Sequence, residues 1–365
     1  TLDGVFTPYK EFARFSYSVT YFDTDFAYKD TVSELENNIS ELENKVNSIL
    51  ILTDLSTGDK YKIVANNGTI QLKAIDYSKG LFIGSSFVNH GISEDVGWFR
   101  NGAMAPSIND HSLPNLVFAS LKAKKQSFVG NIMSSIAWER NYNTTFDFDT
   151  DWKPTLQSEN PDVIFMHISG NSTWTEEFEA ACELMIENVK KTCPLADVFI
   201  AASWHGGQKA ADMRQACFNK GAIYVDLSTY KVSTSMWGTG DWYYSEDDSQ
   251  YHGIYQAVIT HPNDIGCLLQ ANAFLRSCGY DEIQGTHTIT INANSGIIAS
   301  TPNTTWLKDG IVTIRIESGN VTQFTVTKAS GGIVEATLRT NELNENYNTY
   351  YTFVMPDDDV VVNIK

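Results

Sequence analysis

Residues 81–91 read LFIGSSFVNHG, a short apolar run that stops at Gly84-Ser85-Ser86, where the chain must turn sharply. A strand that runs into such a turn and then into a helix presents a hydroxyl at the C-terminal edge of a sheet. Ligand sites of open parallel sheets sit at that edge. Further short apolar runs follow, VIFMHIS (163–169), VFIAAS (198–203) and AIYVDL (222–227), separated by helical stretches at 175–191 and 207–220. Strands alternating with helices mean βαβ units, so the region from Gly80 to Gly279 is expected to be α/β, a doubly wound parallel sheet with flanking helices.

On either side of this region the texture changes. Residues 1–30 are crowded with Tyr and Phe but show no clear period, and are read as a segment that packs on a partner chain. Val32, Leu35, Ile39, Leu42, Val46 and Ile49 then recur at alternating spacings of 3 and 4, an a/d seam that predicts a short oligomerising coiled coil over 31–50. Its β-branched a positions favour a dimer in an isolated parallel peptide, although so few heptads can be overruled by flanking domains. Residues 51–78 alternate apolar and polar around Thr57-Gly58-Asp59 and Asn66-Asn67-Gly68, which predicts a small β neck. After the α/β region (79–282), residues 283–365 become wholly β, with Gly, Asn and Asp turns between runs such as THTITINA and VTQFTVTKA. A small all-β sandwich is expected there.

The chain has 365 residues, which predicts two to three domains. Its formal net charge of -18 repels phosphate backbones and anionic lipid, arguing against nucleic-acid or membrane partners. No stretch approaches the run of continuous apolar residues that a spanning helix needs. Thr1 is not an initiator Met and no charged-then-apolar leader follows it, so the chain reads as processed or truncated. The five cysteines, Cys182, Cys193, Cys217, Cys267 and Cys278, show no CxxC or Cys/His spacing. They are expected to be buried thiols, with no metal site and no cofactor implied.

In AVITHPNDIGCLLQANAFL (257–275), His261 falls in a loop just before a helix, with Pro262 suited to the helix start. A serine near the front of a domain and a histidine near its end are what nucleophilic hydrolysis needs, because the alcohol must lose a proton as it attacks a carbonyl. Trp98, Trp138, Trp204, Trp237 and Trp242 all fall in loops or strand ends, where an aromatic plane can stack a sugar ring. Of these, Trp98, Trp138 and Trp204, with His205, are candidates to line a substrate cleft. His90, His111, His167, His252 and His287 have no partner spacing and are read as structural.

The residues from Gly80 to Gly279 resemble the SGNH (GDSL-type) hydrolase family. Ser86 stands at the block-one nucleophile, although the usual GDS or GNS reads Gly84-Ser85-Ser86 here. PDVIFMHISGN (161–171) matches the block-three strand, with Asn171 in the place of the oxyanion-hole Asn and Ser169 where the family has Gly. His261 in HPNDIG matches the block-five histidine. The block-two backbone donor falls nearest to Ala137, at the end of a strand read over 128–137. GWFRNGAMAPS (97–107), IAWERN (136–141), SGN and ASW (202–204) look like a subset of these esterases in which GW, GMAAS, WER, GEN and FW recur in this order.

The resemblance implies acyl transfer by Ser86 and His261, with an oxyanion held by the Ser86 N–H, the Ala137 N–H and the Asn171 amide. The family acid usually lies three residues before the histidine, and Val258 occupies that position. A Ser-His dyad oriented by a backbone carbonyl is therefore expected, with Asp241, Glu246, Asp247 and Asp248 as carboxylates that another loop could lend.

Two further resemblances bear on context. Residues 51–75 resemble the linker that follows the coil in phage tail-fibre and receptor-binding proteins, and YTFVMPDDDVVVNIK (351–365) resembles the closing strands of bacterial surface repeats that carry MPxxDVxV. Together they imply an O-acetyl esterase acting on bacterial surface polysaccharide from a virion tail or other extracellular stalk, as a homo-oligomer with a trimer favoured over a dimer. A decayed SGNH domain that only binds a glycan, or a bacterial surface adhesin, are the alternatives.

Overall fold

The computed structural model describes residues 51–53, 60–66, 69–202, 206–227, 242–252, 256–339 and 349–365. The aromatic segment 1–30, the heptads of 31–50, Trp204, His205, Trp237 and Asp241 lie outside the described residues. The expected neck is a three-stranded antiparallel sheet of β1 (Ile51–Thr53), β2 (Lys60–Asn66) and β3 (Thr69–Ala74). It is pinned to the next domain by charge: Lys62, itself buried, pairs with Asp197, and Lys60 Nζ lies 2.8 Å from Asp281.

The α/β domain is built on β4 (Lys79–Gly84), β5 (Val129–Ser134), β6 (Val163–Ile168), β7 (Asp197–Ala202) and β8 (Ile223–Tyr224). All neighbours pair in parallel, in the order β5-β4-β6-β7-β8. The apolar runs are continuous rather than alternating because both faces of the sheet are covered. Leu81, Ile83, Ile164 and Met166 enter one core, while Phe82, Val163 and Phe165 enter the other. Helices α1 (Leu113–Lys124) and α5 (Asp264–Ser277) cover one face. Helices α3 (Phe178–Thr192) and α4 (Gln208–Lys220) cover the other, and a short helix α2 (Ile136–Asn141) follows β5. The strand read over 128–137 therefore ends at Ser134, and Ala137 is helical. Helix α5 starts at Asp264 and not at Pro262, because the Asn263 side chain caps it by accepting from the Gly266 N–H at 3.1 Å.

The C-terminal region is a sandwich of a five-stranded and a four-stranded sheet. Its first strand, Thr286–Ala293, pairs in parallel with its last, Val360–Ile364, which closes the domain on itself. One hydrophobic core runs unbroken from Phe82, Phe165 and Phe274 into Trp306, Val312 and Phe353, so the sandwich and the α/β domain share an interior. All five cysteines are free and buried. Among the described residues no helix is long and apolar enough to cross a membrane.

Candidate active site

The strand order reverses between β4 and β6: the chain leaves β4 for β5 on one side and returns to β6 on the other. Crevices for ligands open outside the carboxyl ends of the strands at such a switch point. The Ser86 turn leaves β4 there and the Asn171 loop leaves β6 beside it. A methyl group added to Gly84 would collide with Val88 and with the backbone oxygen of His167, so only glycine lets β4 end this close to β6. The turn is then closed by the Val88 and Asn89 N–H groups, both donating to Ser85 O at 2.7 Å.

Ser86 is partly exposed, and its Oγ lies 2.6 Å from Nε2 of His261, which is 175 residues away in the chain and nearly buried. Phe87, the next residue, sets its ring edge-to-face against the His261 imidazole, with centroids 4.7 Å apart. The position three before the histidine is no acid in disguise: Val258 is 1% exposed and packs with Trp98, Met104, Ala105 and Tyr243. Two of the acidic candidates, Glu246 and Asp247, are engaged elsewhere. Glu246 accepts from the Asn101 N–H at 3.0 Å, and Asp247 accepts from Ser245 and Ser249, which pulls its pKa down to about 2.

Asn171 converges on the same turn. Its Nδ2 donates to Ser85 Oγ at 3.0 Å and to Glu139 Oε2 at 3.2 Å, and its backbone N–H donates to the same Glu139 oxygen at 2.7 Å. Glu139 is fully buried, and its other oxygen accepts from Ser135 Oγ at 2.5 Å. A carboxylate accepts and cannot donate, so this contact forces the Asn171 amide to turn its NH₂ toward the serine turn. The loop is also held from below by Lys209, whose Nζ donates to Ser169 O at 2.7 Å and Ser172 O at 2.8 Å. Burial lowers the Lys209 pKa, and the charge of Glu139 opposes that. Ser169 adopts φ 83°, a backbone region that glycine enters more cheaply than serine.

Ala137 lies in the first turn of α2, where backbone N–H groups have no intrahelical acceptor. The neighbouring Ser135 N–H is spent on Gly84 O at 3.0 Å. Two cleft candidates are corrected. Trp98 is fully buried against Tyr243 and the Arg100 guanidinium, and Trp138 is 2% exposed, packed at a tilt against Tyr142 and Phe178. Both are core residues, since the pull to bury a large indole outweighs the loop context that makes it look like a sugar platform. Glu139 is the residue that sequence reasoning missed. Its one signal was its place inside the IAWERN stretch.

Behind His261 sits a second buried carboxylate. Asp264 accepts from the Ser107 N–H at 2.5 Å, from Ser107 Oγ at 2.6 Å and from His111 Nδ1 at 2.6 Å. Ser107 Oγ in turn accepts from the Ile311 N–H of the sandwich at 2.9 Å. Burial works against a charged His111, but the charge and hydrogen bond of Asp264 outweigh it and the His111 pKa is raised. Arg100 stands nearby, donating to Pro106 O at 2.5 Å, Ser107 O at 3.2 Å and Tyr244 O at 3.3 Å. Burial brings its pKa down to about 10, partly offset by Asp264.

No family model and no curated protein matches the chain. Among solved structures, a Parabacteroides merdae protein named a GDSL-like lipase is 16% identical over 56% of this chain and 98% of its own, with a TM-score of 0.37. A family 3 carbohydrate esterase of Clostridium thermocellum is 14% identical over 54% of this chain and 93% of its own, with a TM-score of 0.36. A tail fiber protein of an E. coli phage is 12% identical over 76% of this chain and 36% of its own, also at 0.36. Similarity this slight carries no activity across, so the chemistry rests on the geometry of the site.

Proposed function

We propose that the chain is a serine esterase that removes O-acetyl or similar acyl groups. The observation that carries this reading is the 2.6 Å approach of Ser86 Oγ to His261 Nε2 at the switch point of the sheet. In the first half-reaction His261 takes the Ser86 proton as Oγ attacks the ester carbonyl. The resulting oxyanion is held by the N–H groups of Ser86 and Ala137 and by the Asn171 amide. The tetrahedral intermediate collapses as His261 returns the proton to the departing alcohol, leaving an acyl-serine. Water, deprotonated by His261, then attacks the acyl carbon and frees the carboxylate and Ser86.

The substrate half of the proposal, acyl groups on bacterial surface polysaccharide, is supported by the sequence resemblances of the esterase blocks, the neck and the coil. Display on a virion tail fibre or other extracellular stalk, as a homotrimer in preference to a dimer, follows from the same resemblances. Repeated heads on one stalk would raise avidity for a repetitive glycan.

The test is hydrolysis of p-nitrophenyl acetate by the full chain beside Ser86→Ala, with equal folding checked by circular dichroism. The expected outcome is turnover by the parent and a loss of about 10⁴-fold or more in the variant. Equal rates would sink the assignment of Ser86. No turnover by either, repeated on acetylated glycans, would leave a binding module.

A further inference from the structure

Among the described tryptophans, Trp174 alone breaks the pattern of burial. Trp174 is 46% exposed, whereas Trp98, Trp138 and Trp152 are nearly or wholly inside. It lies three residues after Asn171, so the two Cα atoms are at most about 11 Å apart. An exposed indole on a loop is free to rotate unless something holds it, and here it is held. Its Nε1 donates to Asp212 Oδ2 at 2.7 Å, and Asp212, largely buried on α4, is itself fixed by Gln208 Nε2 at 2.6 Å.

The backbone on both sides is pinned as well. Tyr142 donates its hydroxyl to Thr173 O at 2.6 Å and lies 3.0 Å from Thr175 Oγ1, while Lys209 grips Ser169 O and Ser172 O. Tryptophan is highly buried on average. Here the tie holds the ring by its polar edge while nearly half of the residue stays in water.

We infer that Trp174 is a sugar-stacking subsite, a fixed aromatic plate that packs against the C–H face of a pyranose unit adjacent to the one carrying the acyl group. The inference rests on the proposed esterase activity on glycans and names where the polymer lies. A plate ordered in advance costs no rotamer entropy when a sugar settles on it, and the negative face of the indole suits polarised C–H bonds. Trp174 follows β6 in the loop that carries Asn171, and its ring is tied to α4, the helix after β7.

The experiment compares kcat/KM on p-nitrophenyl acetate, which has no sugar, with acetate release from O-acetylated glucomannan fragments of increasing length. The proteins are the full chain, Trp174→Ala and Trp174→Phe. The expected result is that Trp174→Ala loses about tenfold more on the fragments than on the small ester, chiefly in KM, and that Trp174→Phe recovers most of it. Equal losses on both substrates would make Trp174 a mere brace of the Asn171 loop and overturn the inference. So would equal activity of parent and variant on the fragments, or a parent that cleaves the small ester alone. A parent inactive on p-nitrophenyl acetate fails the esterase reading instead, so the two failures are told apart.

Discussion

The two halves of the candidate site are held in place by different physics. Ser86 and Asn171 hang from the ends of adjacent parallel strands, and Gly84 lets those ends approach; their geometry is inherited from one continuous ladder of hydrogen bonds. His261 has no strand beneath it. It precedes the capped start of α5, and the first helical residue, Asp264, ties that start to Ser107 and His111 in a buried polar knot that reaches the sandwich through Ile311. Gly310 completes the fit, because a methyl group there would collide with Asp264 and Trp306. The contrast teaches that the sandwich is part of the frame for the histidine and more than a spacer behind the head. It also means that the two halves fail differently when broken.

The largest effect is expected at the knot. Asp264→Asn removes the charge facing His111 and Arg100 and turns one oxygen acceptor into a donor facing donors. It should cost about 3–5 kcal/mol of stability, read as a fall in the denaturant midpoint, with activity lost through unfolding. The other half should behave oppositely. Asn171 is exposed, so Asn171→Ala should leave the denaturant midpoint nearly unchanged while lowering esterase kcat by about 10²–10³-fold. If Asp264→Asn unfolds normally but loses turnover, or Asn171→Ala unfolds early, the division of labour between the halves is wrong.

Much of this was legible because burial on both faces writes parallel strands as unbroken apolar runs. LFIG, VIFMHIS and VFIAAS fall within a residue or two of β4, β6 and β7. Ser86, Asn171 and His261 were legible as an ordered series of motifs, and the structure brings them to one turn. The supports were not. Glu139 lies on a six-residue helix, too short to show an amphipathic period that would say which side chain turns inward. Asp264 follows His261 by three residues and nothing beside it in the sequence marks it, since its partners come from residues 107 and 111, far back in the chain. Trp98 and Trp138 misled for a related reason: the local sequence does not tell whether another segment covers a residue, and Trp138 lies on α2 and not in a loop; Trp174 was passed over although it adjoins the Asn171 motif.

The smallest effect sharpens the comparison most, because it separates charge from packing within the knot. The His111 pKa is raised in the folded protein, by Asp264 against the opposing effect of burial. The protonated imidazole thus favours folding. Its contribution is complete below the unfolded value of about 6.5 and is lost as pH rises through the folded pKa. Across pH 6 to 9 the parent should therefore lose stability in this range relative to His111→Gln, which keeps a donor for Asp264 but cannot titrate. The check is a series of denaturant midpoints for both proteins at matched ionic strength, and the gap between them should be smaller than the loss in Asp264→Asn. A gap that stays constant with pH would mean that His111 serves the knot as a neutral donor, and that the histidine half is braced by hydrogen bonds alone.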